Sequence, residues 1–287
     1  MRVLVVYKKS FLEAHGGDAR TLAGIDPAGR ARLLRSDVEN RRALKDVLAH
    51  LVRLGVRADA VLRGSLARRR SYDLVVSLGG DGTFFAAARW VCDVPILGIN
   101  SDPTHSLGIW TGADRSSFPR TLERALDGRL SGVRLQRLQI SINGKTLPEL
   151  AMNDVLFAHR NPAAMTRYRL TADGRTEDQK GSGLWVATAA GSTAGIRSAG
   201  GKRMPIGSRR IQFLAREPYT WPRRRYALSR GTASRIAIVS SVVNSAIWID
   251  GESVRHDLAL GDRVEIRPGA PLTVLGYDDA RRKRLFP

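Results

Sequence analysis

Short, nearly continuous apolar runs alternate with longer stretches of mixed polarity over residues 1–130. The runs are Val3–Tyr7, Val56–Leu62, Leu74–Leu78 and Pro95–Ile99, and each predicts a strand. A strand apolar on both faces belongs in a parallel sheet covered on two sides. The stretches between the runs supply the covers. From Asp37 to Leu54 the apolar positions Leu44, Val47, Leu48, Leu51 and Leu54 fall three and four apart on one helical face, and Gly55 stands where a C-cap belongs. Phe84–Ala88 is compatible with a helix, and Ser116–Gly128 predicts another. Ser10–Ser36 dissolves instead into Gly, Asp, Pro and Arg, and predicts a mobile loop suited to a lid.

Past residue 130 the texture changes. Val133–Ile142 alternates apolar and polar residues, and Asn143-Gly144 after it is a hairpin turn. Further strands are predicted at Leu156–His159, Thr166–Ala172, Leu184–Thr188, Ile211–Ala215, Arg235–Val239, Ala246–Ile249 and Val264–Ile266, with Gly and Asn turns between them. Many short strands of this kind make an antiparallel sheet or sandwich. The expected fold class is therefore α/β plus all-β. A Rossmann-like parallel-sheet domain over residues 1–130 precedes an antiparallel β-sandwich domain over residues 131–267. The segment 268–287, with a strand at Pro271–Tyr277, is expected to pack back onto the first domain.

A chain of 287 residues is long enough for two such cores. Cys92 is its sole cysteine, which excludes an internal disulfide and any multi-cysteine metal site. Its apolar neighbours make it core packing in a reduced, cytoplasmic setting. No apolar run reaches the ~20 residues of a membrane helix, and Met1–Tyr7 is too short for a signal peptide and reads as a first strand. No membrane partner is expected. The formal net charge of +20 raises nucleic acid as a partner. The excess is arginine spread along the chain. Its denser patches, Arg68-Arg69-Arg70, Arg223-Arg224-Arg225 and Arg281-Arg282-Lys283-Arg284, carry no interleaved aromatics for base stacking, so no specific nucleic-acid partner is expected. The same charge attracts anionic small molecules. The Arg281–Arg284 tail reads as a solvated end.

Three segments carry candidate chemistry. Gly79-Gly80-Asp81-Gly82-Thr83 ends an apolar strand and opens a helix. Glycines there let a backbone approach phosphate closely, and unpaired amides at the helix start favour negative charge. Asp81 places a carboxylate beside that phosphate, although Asp-Gly also makes an ordinary tight turn. Asn153-Asp154 precedes the strand Val155-Leu156-Phe157, and an amide and carboxylate side by side can grip two adjacent hydroxyls, as on a ribose. Such a pair is also a common strand-entry turn. The third segment, Gly183–Gly201, runs from a strand into small hydroxyl residues and a glycine pair, leaving a slot for a flat ring. No Gly-x-x-x-x-Gly-Lys-Ser/Thr loop, no early Gly-x-Gly-x-x-Gly turn and no Gly-x-Ser-x-Gly elbow occurs. Histidines 15, 50, 105, 159 and 256 lack metal-ligand spacing, so no metal ligands are assigned.

In this order the segments resemble the NAD kinase family. Gly79–Thr83 followed by Pro95–Asn100 matches its first motif and the strand after it, and Asn153-Asp154 matches its Asn-Glu/Asp pair. Thr188–Gly201 is similar to its Thr-Pro-x-Gly-Ser-Thr-Ala-Tyr-x-x-Ser-x-Gly-Gly segment, and Asp250-Gly251 to a late Asp-Gly. Asn100-Ser101-Asp102-Pro103, Gln179–Leu184 and Ala215–Pro218 resemble its mitochondrial-type branch. The resemblance implies phosphoryl transfer from ATP or inorganic polyphosphate to the 2′-hydroxyl of the adenosine ribose of NAD(H). It implies Asp81 as catalytic residue, and Gly79, Gly80, Gly82, Thr83 and Asn100 around the donor phosphates. Asn153, Asp154, Thr193, Ala194, Ser198 and Asp250 would bind NAD. Mg²⁺ or another divalent cation would bridge donor oxygens with few protein ligands, and the protein would self-associate as a dimer or tetramer. The chain departs from the family at Gly195, where a ring-stacking tyrosine is common, and at Ser182, where an aspartate is. Leu107-Gly108-Ile109-Trp110-Thr111 also replaces a Leu-Gly-Phe-Leu-Thr pattern. Alternatives are a lipid or sugar kinase of the same superfamily, and a non-catalytic basic protein that binds nucleic acid.

Overall fold

Five strands of the first unit run parallel side by side in the order Arg57–Leu62, Arg2–Tyr7, Leu74–Leu78, Ile96–Asn100 and Leu272–Leu275. Gly132–Leu135 lies at the far edge, and the short strand Ala113–Asp114 branches from Ile96–Asn100. The computed structural model describes residues 1–14, 23–65, 72–91, 93–220 and 225–286. They form two compact units, Met1–Val133 with Leu272–Leu285, and Arg134–Pro271.

Three of the apolar runs of the first unit, in the strands Arg2–Tyr7, Leu74–Leu78 and Ile96–Asn100, are buried on both faces, whereas the edge strand Arg57–Leu62 has no buried residue. Val3, Val5, Leu74 and Val76 pack with Ala43, Val47 and Leu51 of the helix Pro27–Arg53 and with Phe118 and Leu122 of the helix Phe118–Leu126. The intervening residues turn to the opposite face. The helix Asp81–Ala88 packs against the strands Leu74–Leu78 and Arg2–Tyr7 and buries Phe84, Ala87 and Ala88.

Two expectations are corrected here. Ser10–Ser36 is not a loop throughout: Phe11–Ala14 is one helical turn, and the long helix starts at Pro27 rather than Asp37. Asp26 caps it, accepting the Gly29 N–H at 3.0 Å, and Pro27 fills an early position that needs no N–H. No residue from Pro27 to Ser36 is buried, so the added turns carry no apolar stripe to announce them. Residues 15–22 of that segment, Cys92, Arg68-Arg69-Arg70 and Arg223-Arg224 lie outside the described residues. Val133–Ile142 is two strands, Gly132–Leu135 and Leu138–Ile142, of which only the second enters the sandwich. Gln136 and Arg137 put two polar residues in succession between Leu135 and Leu138, so the alternation changes phase at the break. Arg137, fully buried at that break, donates from Nε to the Ala270 carbonyl at 2.9 Å.

The second unit is a sandwich of two six-stranded antiparallel sheets. Alternate residues of each meet in one core: Leu138, Ile140, Tyr168, Leu170, Ile236 and Ile238 from one sheet, Val155, Phe157, Leu184, Val186, Ile247 and Ile249 from the other. The Asn143-Gly144 hairpin forms with both residues at positive φ, 50° and 80°, and Ile142 opposite Lys145. The residues between those of the core set, Leu156, Trp185 and Trp248 among them, face outward and form part of the site.

Candidate active site

The first group of residues gathers at the carboxyl end of the parallel sheet, where such sheets hold ligands. Leu74–Leu78 is buried along its length, and the Gly79 N–H then donates to Ile99 O at 2.9 Å. Two glycines are required by space. A Cβ on Gly79 would strike Thr83 Oγ1, and one on Gly80 would strike Ser106 Oγ. The chain turns at once into the helix Asp81–Ala88, whose first amides have no partner within the helix. Gly82 is exposed, with Arg63 Nη1 3.7 Å from the position of a Cβ there. Lys8 follows the first strand at the same sheet end. Burial lowers its pKa, and the Arg63 charge adds to the effect. Thr83 Oγ1 is buried and has no hydrogen-bond partner among the described residues.

Asp81 is half-buried, and backbone fixes its carboxylate. Oδ2 accepts the Ile109 N–H at 3.1 Å and Oδ1 the Trp110 N–H at 3.0 Å. The segment that donates these bonds is itself held. Asn100, 3 % exposed, donates from Nδ2 to Ser106 O at 3.0 Å and accepts the Asp102 N–H at 3.1 Å on Oδ1. Asn100 therefore shapes the loop after its strand, and both ends of its amide are engaged in doing so. Asp102 stands 2.9 Å from His105 Nδ1. Burial pushes the Asp102 carboxyl up, but hydrogen bonds from Ser36 and His105 outweigh it and hold its pKa below the ordinary value. Among the described residues no group of three or more His, Cys, Asp or Glu side chains comes together to hold a metal ion.

The second group lies in the sandwich unit. Asp250, in a left-handed conformation with φ 49°, accepts the Met152, Asn153 and Asp154 N–H groups at 3.0, 2.7 and 3.1 Å. Its carboxylate builds the Asn153-Asp154 turn. Thr188 closes the turn from the other side, donating from Oγ1 to Met152 O at 2.6 Å and accepting the Gly191 N–H at 2.9 Å. Gly191 has no room for a side chain, because a Cβ would strike Asn153 O. Asp154 is 5 % exposed, and burial first, then the Asp250 charge, push its pKa up to about 7.

Asp154 lines a cavity of about 280 Å³ with Leu156, Trp185, Trp248, Gly251 and Glu252. Strand register explains the two tryptophans: Leu156 pairs with Trp185 on one side and Trp248 on the other. Gly195 lies against Trp185, and a Cβ there would come within 3.0 Å of the indole. Trp185 thus occupies space into which a side chain at position 195 would project. Thr193 and Ala194 are half-buried on the turn that leads to Gly195, while Ser198 is exposed at the end of the helical turn Gly195–Ser198. The Ser192 hydroxyl is spent on Ala189 O and the Met204 N–H, at 2.7 and 2.9 Å.

Sequence reasoning missed Lys8, Arg63, Trp185 and Trp248. Lys8 and Arg63 each directly follow a predicted strand, a signal that was available. The tryptophans gave none, since only pairing in space sets both beside Leu156.

The chain is similar to known proteins in both sequence and fold. Residues 42–130 match the family model for the ATP-NAD kinase N-terminal domain. A probable NADH kinase of Oryza sativa subsp. japonica is 35% identical over 225 residues, covering 70% of this chain and 69% of that protein. An NADH kinase of Arabidopsis thaliana is 36% identical over 231 residues, covering 71% of this chain and 72% of that protein. Among solved structures, an NAD kinase from Archaeoglobus fulgidus in complex with ATP is similar with a TM-score of 0.71 and 22% identity, covering 100% of this chain and 97% of that one.

Proposed function

Because the chain belongs to the NAD kinase family, we propose that it transfers a phosphoryl group from ATP or inorganic polyphosphate to the 2′-hydroxyl of the adenosine ribose of NAD or NADH. The observation that carries the acceptor half is the Asn153-Asp154 turn, built by Asp250 beside a cavity flanked by Trp185 and Trp248. An amide and a carboxyl group there bind ribose hydroxyls, and the indoles offer a flat ring a surface to stack on. Thr193, Ala194 and Ser198, on the segment that sets Gly195 against Trp185, would contact bound NAD from beside that cavity in this reading, while Asp250 acts as a positioning residue through the turn.

The donor half rests on the glycine turn. Its amides, with Lys8 and Arg63 at the same sheet end, offset the donor's phosphate charge. Transfer of this kind depends on alignment and charge stabilisation more than on covalent work by the protein. As the 2′-oxygen forms its bond to the γ-phosphorus, the bond from that phosphorus to the leaving oxygen breaks. The hydroxyl proton passes to Asp81, and ADP or the shortened polyphosphate departs with the electron pair. Both Asp81 oxygens retain a lone pair beyond the two amide bonds, so the anchored carboxylate can still accept. Mg²⁺ or another divalent cation, if brought in by the donor, would add to the offset of its phosphate charge that the glycine-turn amides, Lys8 and Arg63 supply.

A cytoplasmic setting and self-association as a dimer or tetramer belong to the same proposal. The single cysteine supports the first, and no helix among the described residues is long and apolar enough to cross a membrane. Calorimetric titration of NAD into the parent and into Trp185→Ala tests the acceptor site. The variant is expected to bind about tenfold more weakly, the worth of a lost aromatic stack. Parental affinity would remove Trp185 and its cavity from the reading.

A further inference from the structure

The arginine-rich tail is not a solvated end. It forms the helix Asp279–Leu285, and Arg281 reaches from that helix to the loop before Thr111. Arg281 Nη1 donates to Gly108 O at 3.0 Å, and Nη2 donates to the Leu107 carbonyl. The other side of the same peptide group is the Ile109 N–H, which donates to Asp81. A peptide group is planar and rigid, so a bond that fixes its carbonyl also fixes the direction of its N–H. The helix brings a second contact with it. Tyr277, just before the helix, stacks on Trp110 with ring centroids 5.2 Å apart and planes 14° from parallel. Trp110 is 3 % exposed, and its N–H is the other donor to Asp81.

Other parts of the loop are held from outside as well: Asn100 Nδ2 donates to Ser106 O, Trp110 packs against Phe84 and Phe85, and the Gly112 N–H donates to Gly98 O. Gly108 is left-handed, with φ 55°, and a Cβ on it would approach Asn100 Nδ2 to 2.5 Å and Thr111 Oγ1 to 2.6 Å. Within the loop, Thr111 Oγ1 and the Thr111 N–H also donate to Gly108 O, at 2.7 and 3.2 Å, so Arg281 is a third donor on that carbonyl and the one that comes from another element. Leu107 is 60 % exposed and supplies no packing. At the Leu107 and Gly108 carbonyls, the guanidinium is the tie to an element outside the loop among the described residues, and its fork suits two successive carbonyls.

We infer that Arg281 is a positioning residue for the reaction: it clamps the Gly108–Ile109 peptide and so sets the orientation of the Asp81 carboxylate. The inference rests on the reading in which Asp81 receives the hydroxyl proton. Arg284, on the same helix, reaches only Asp278, at 3.8 Å, and serves as the control.

The test compares amide hydrogen exchange at Ile109 and Trp110 in the parent, Arg281→Met, Arg281→Lys and Arg284→Met, beside steady-state NADP formation. Arg281→Met should exchange both amides about tenfold faster, as a local opening no longer opposed by the clamp. It should also lose about tenfold in kcat, the scale of a small misalignment, with KM for NAD within about twofold of the parent. Arg281→Lys should recover part of both changes, and Arg284→Met should match the parent. Unchanged exchange at the two amides overturns the clamp. Faster exchange with parental kcat overturns its role in positioning, and so does a fall in kcat accompanied by an equal change in KM and a lower melting temperature. A parent that forms no NADP counts against the proposed function, and the exchange measurement, which needs no turnover, then decides the clamp by itself.

Discussion

Asp154 is 5 % exposed, and burial together with the Asp250 charge pushes its pKa from 3.8 up to about 7. The folded protein therefore holds the proton to about pH 7, whereas the unfolded chain releases it near the ordinary value. Between those two pH values the folded state binds more protons than the unfolded one. Stability must fall as pH rises through that window and level off above it. Asp154→Asn is neutral at every pH and keeps the shape of the side chain. It is expected to melt above the parent at about pH 8 and to show a flatter melting curve against pH from about 4 to 7, read by scanning fluorimetry. A parent whose melting temperature rises over that interval as steeply as the variant's would contradict the burial argument. Residues of this kind were legible because their type is unusual for their place: an acid in a glycine turn, or an amide-acid pair before an apolar strand. Trp185, Trp248 and Arg281 were not, since locally they read as ordinary aromatics of a strand and a charge on a tail.

At the scale of elements, the strand Ile96–Asn100 and the loop that anchors Asp81 come together through Gly98. A Cβ on Gly98 would lie 2.6 Å from Trp110 O and 2.9 Å from Thr111 Cα, and the Gly112 N–H donates to Gly98 O at 2.9 Å. Backbone meets backbone here, so no side-chain adjustment can relieve the clash. Gly98→Ala is expected to cost about 1–3 kcal/mol by overpacking and to lower turnover with it, because the loop must move away from the strand. Denaturant unfolding and a turnover assay on the same sample check both, and parental stability would contradict the close approach. The inner strands of both units were legible as apolar runs or alternation, because burial on two faces or on one dictates those patterns. The sandwich's edge strands Lys145–Ala151, Arg175–Gly181, Arg230–Ala233 and Arg255–Leu258 were not expected, since an edge buries too little to impose a pattern. The first turns of the helix Pro27–Arg53 were not, for they bury nothing and only the Asp26 cap marks their start. The division of Val133–Ile142 carried a signal that the expectation passed over, the two successive polar residues Gln136 and Arg137 that shift the alternation between the strands.

The whole molecule carries a formal charge of +20. That figure already counts the carboxylates that pair with arginine, such as Glu39 and Asp46 with Arg115, Glu265 with Arg235 and Arg263, and Asp59 with Arg2. Such exposed pairs add little to stability. The remaining positive field favours the approach of anions, and every substrate of the proposed reaction is one. The return of the chain at Leu272–Leu275 to pair beside Ile96 and Leu97 shows why the order of elements along the sequence does not by itself give the order in the sheet. The central claim joins the glycine turn of one unit and the Asn153-Asp154 turn of the other in a single activity, NAD phosphorylation. The measurement that tests it most directly is Mg²⁺-dependent formation of NADP or NADPH, with NAD or NADH crossed against ATP or polyphosphate, in the parent and in Asp81→Asn. The account predicts product from the parent in at least one pairing. It predicts almost none from Asp81→Asn, which loses the proton acceptor and turns an amide NH₂ toward one of the two N–H groups that held the carboxylate. No product from a folded parent in any pairing, or near-parental product from Asp81→Asn, would contradict it.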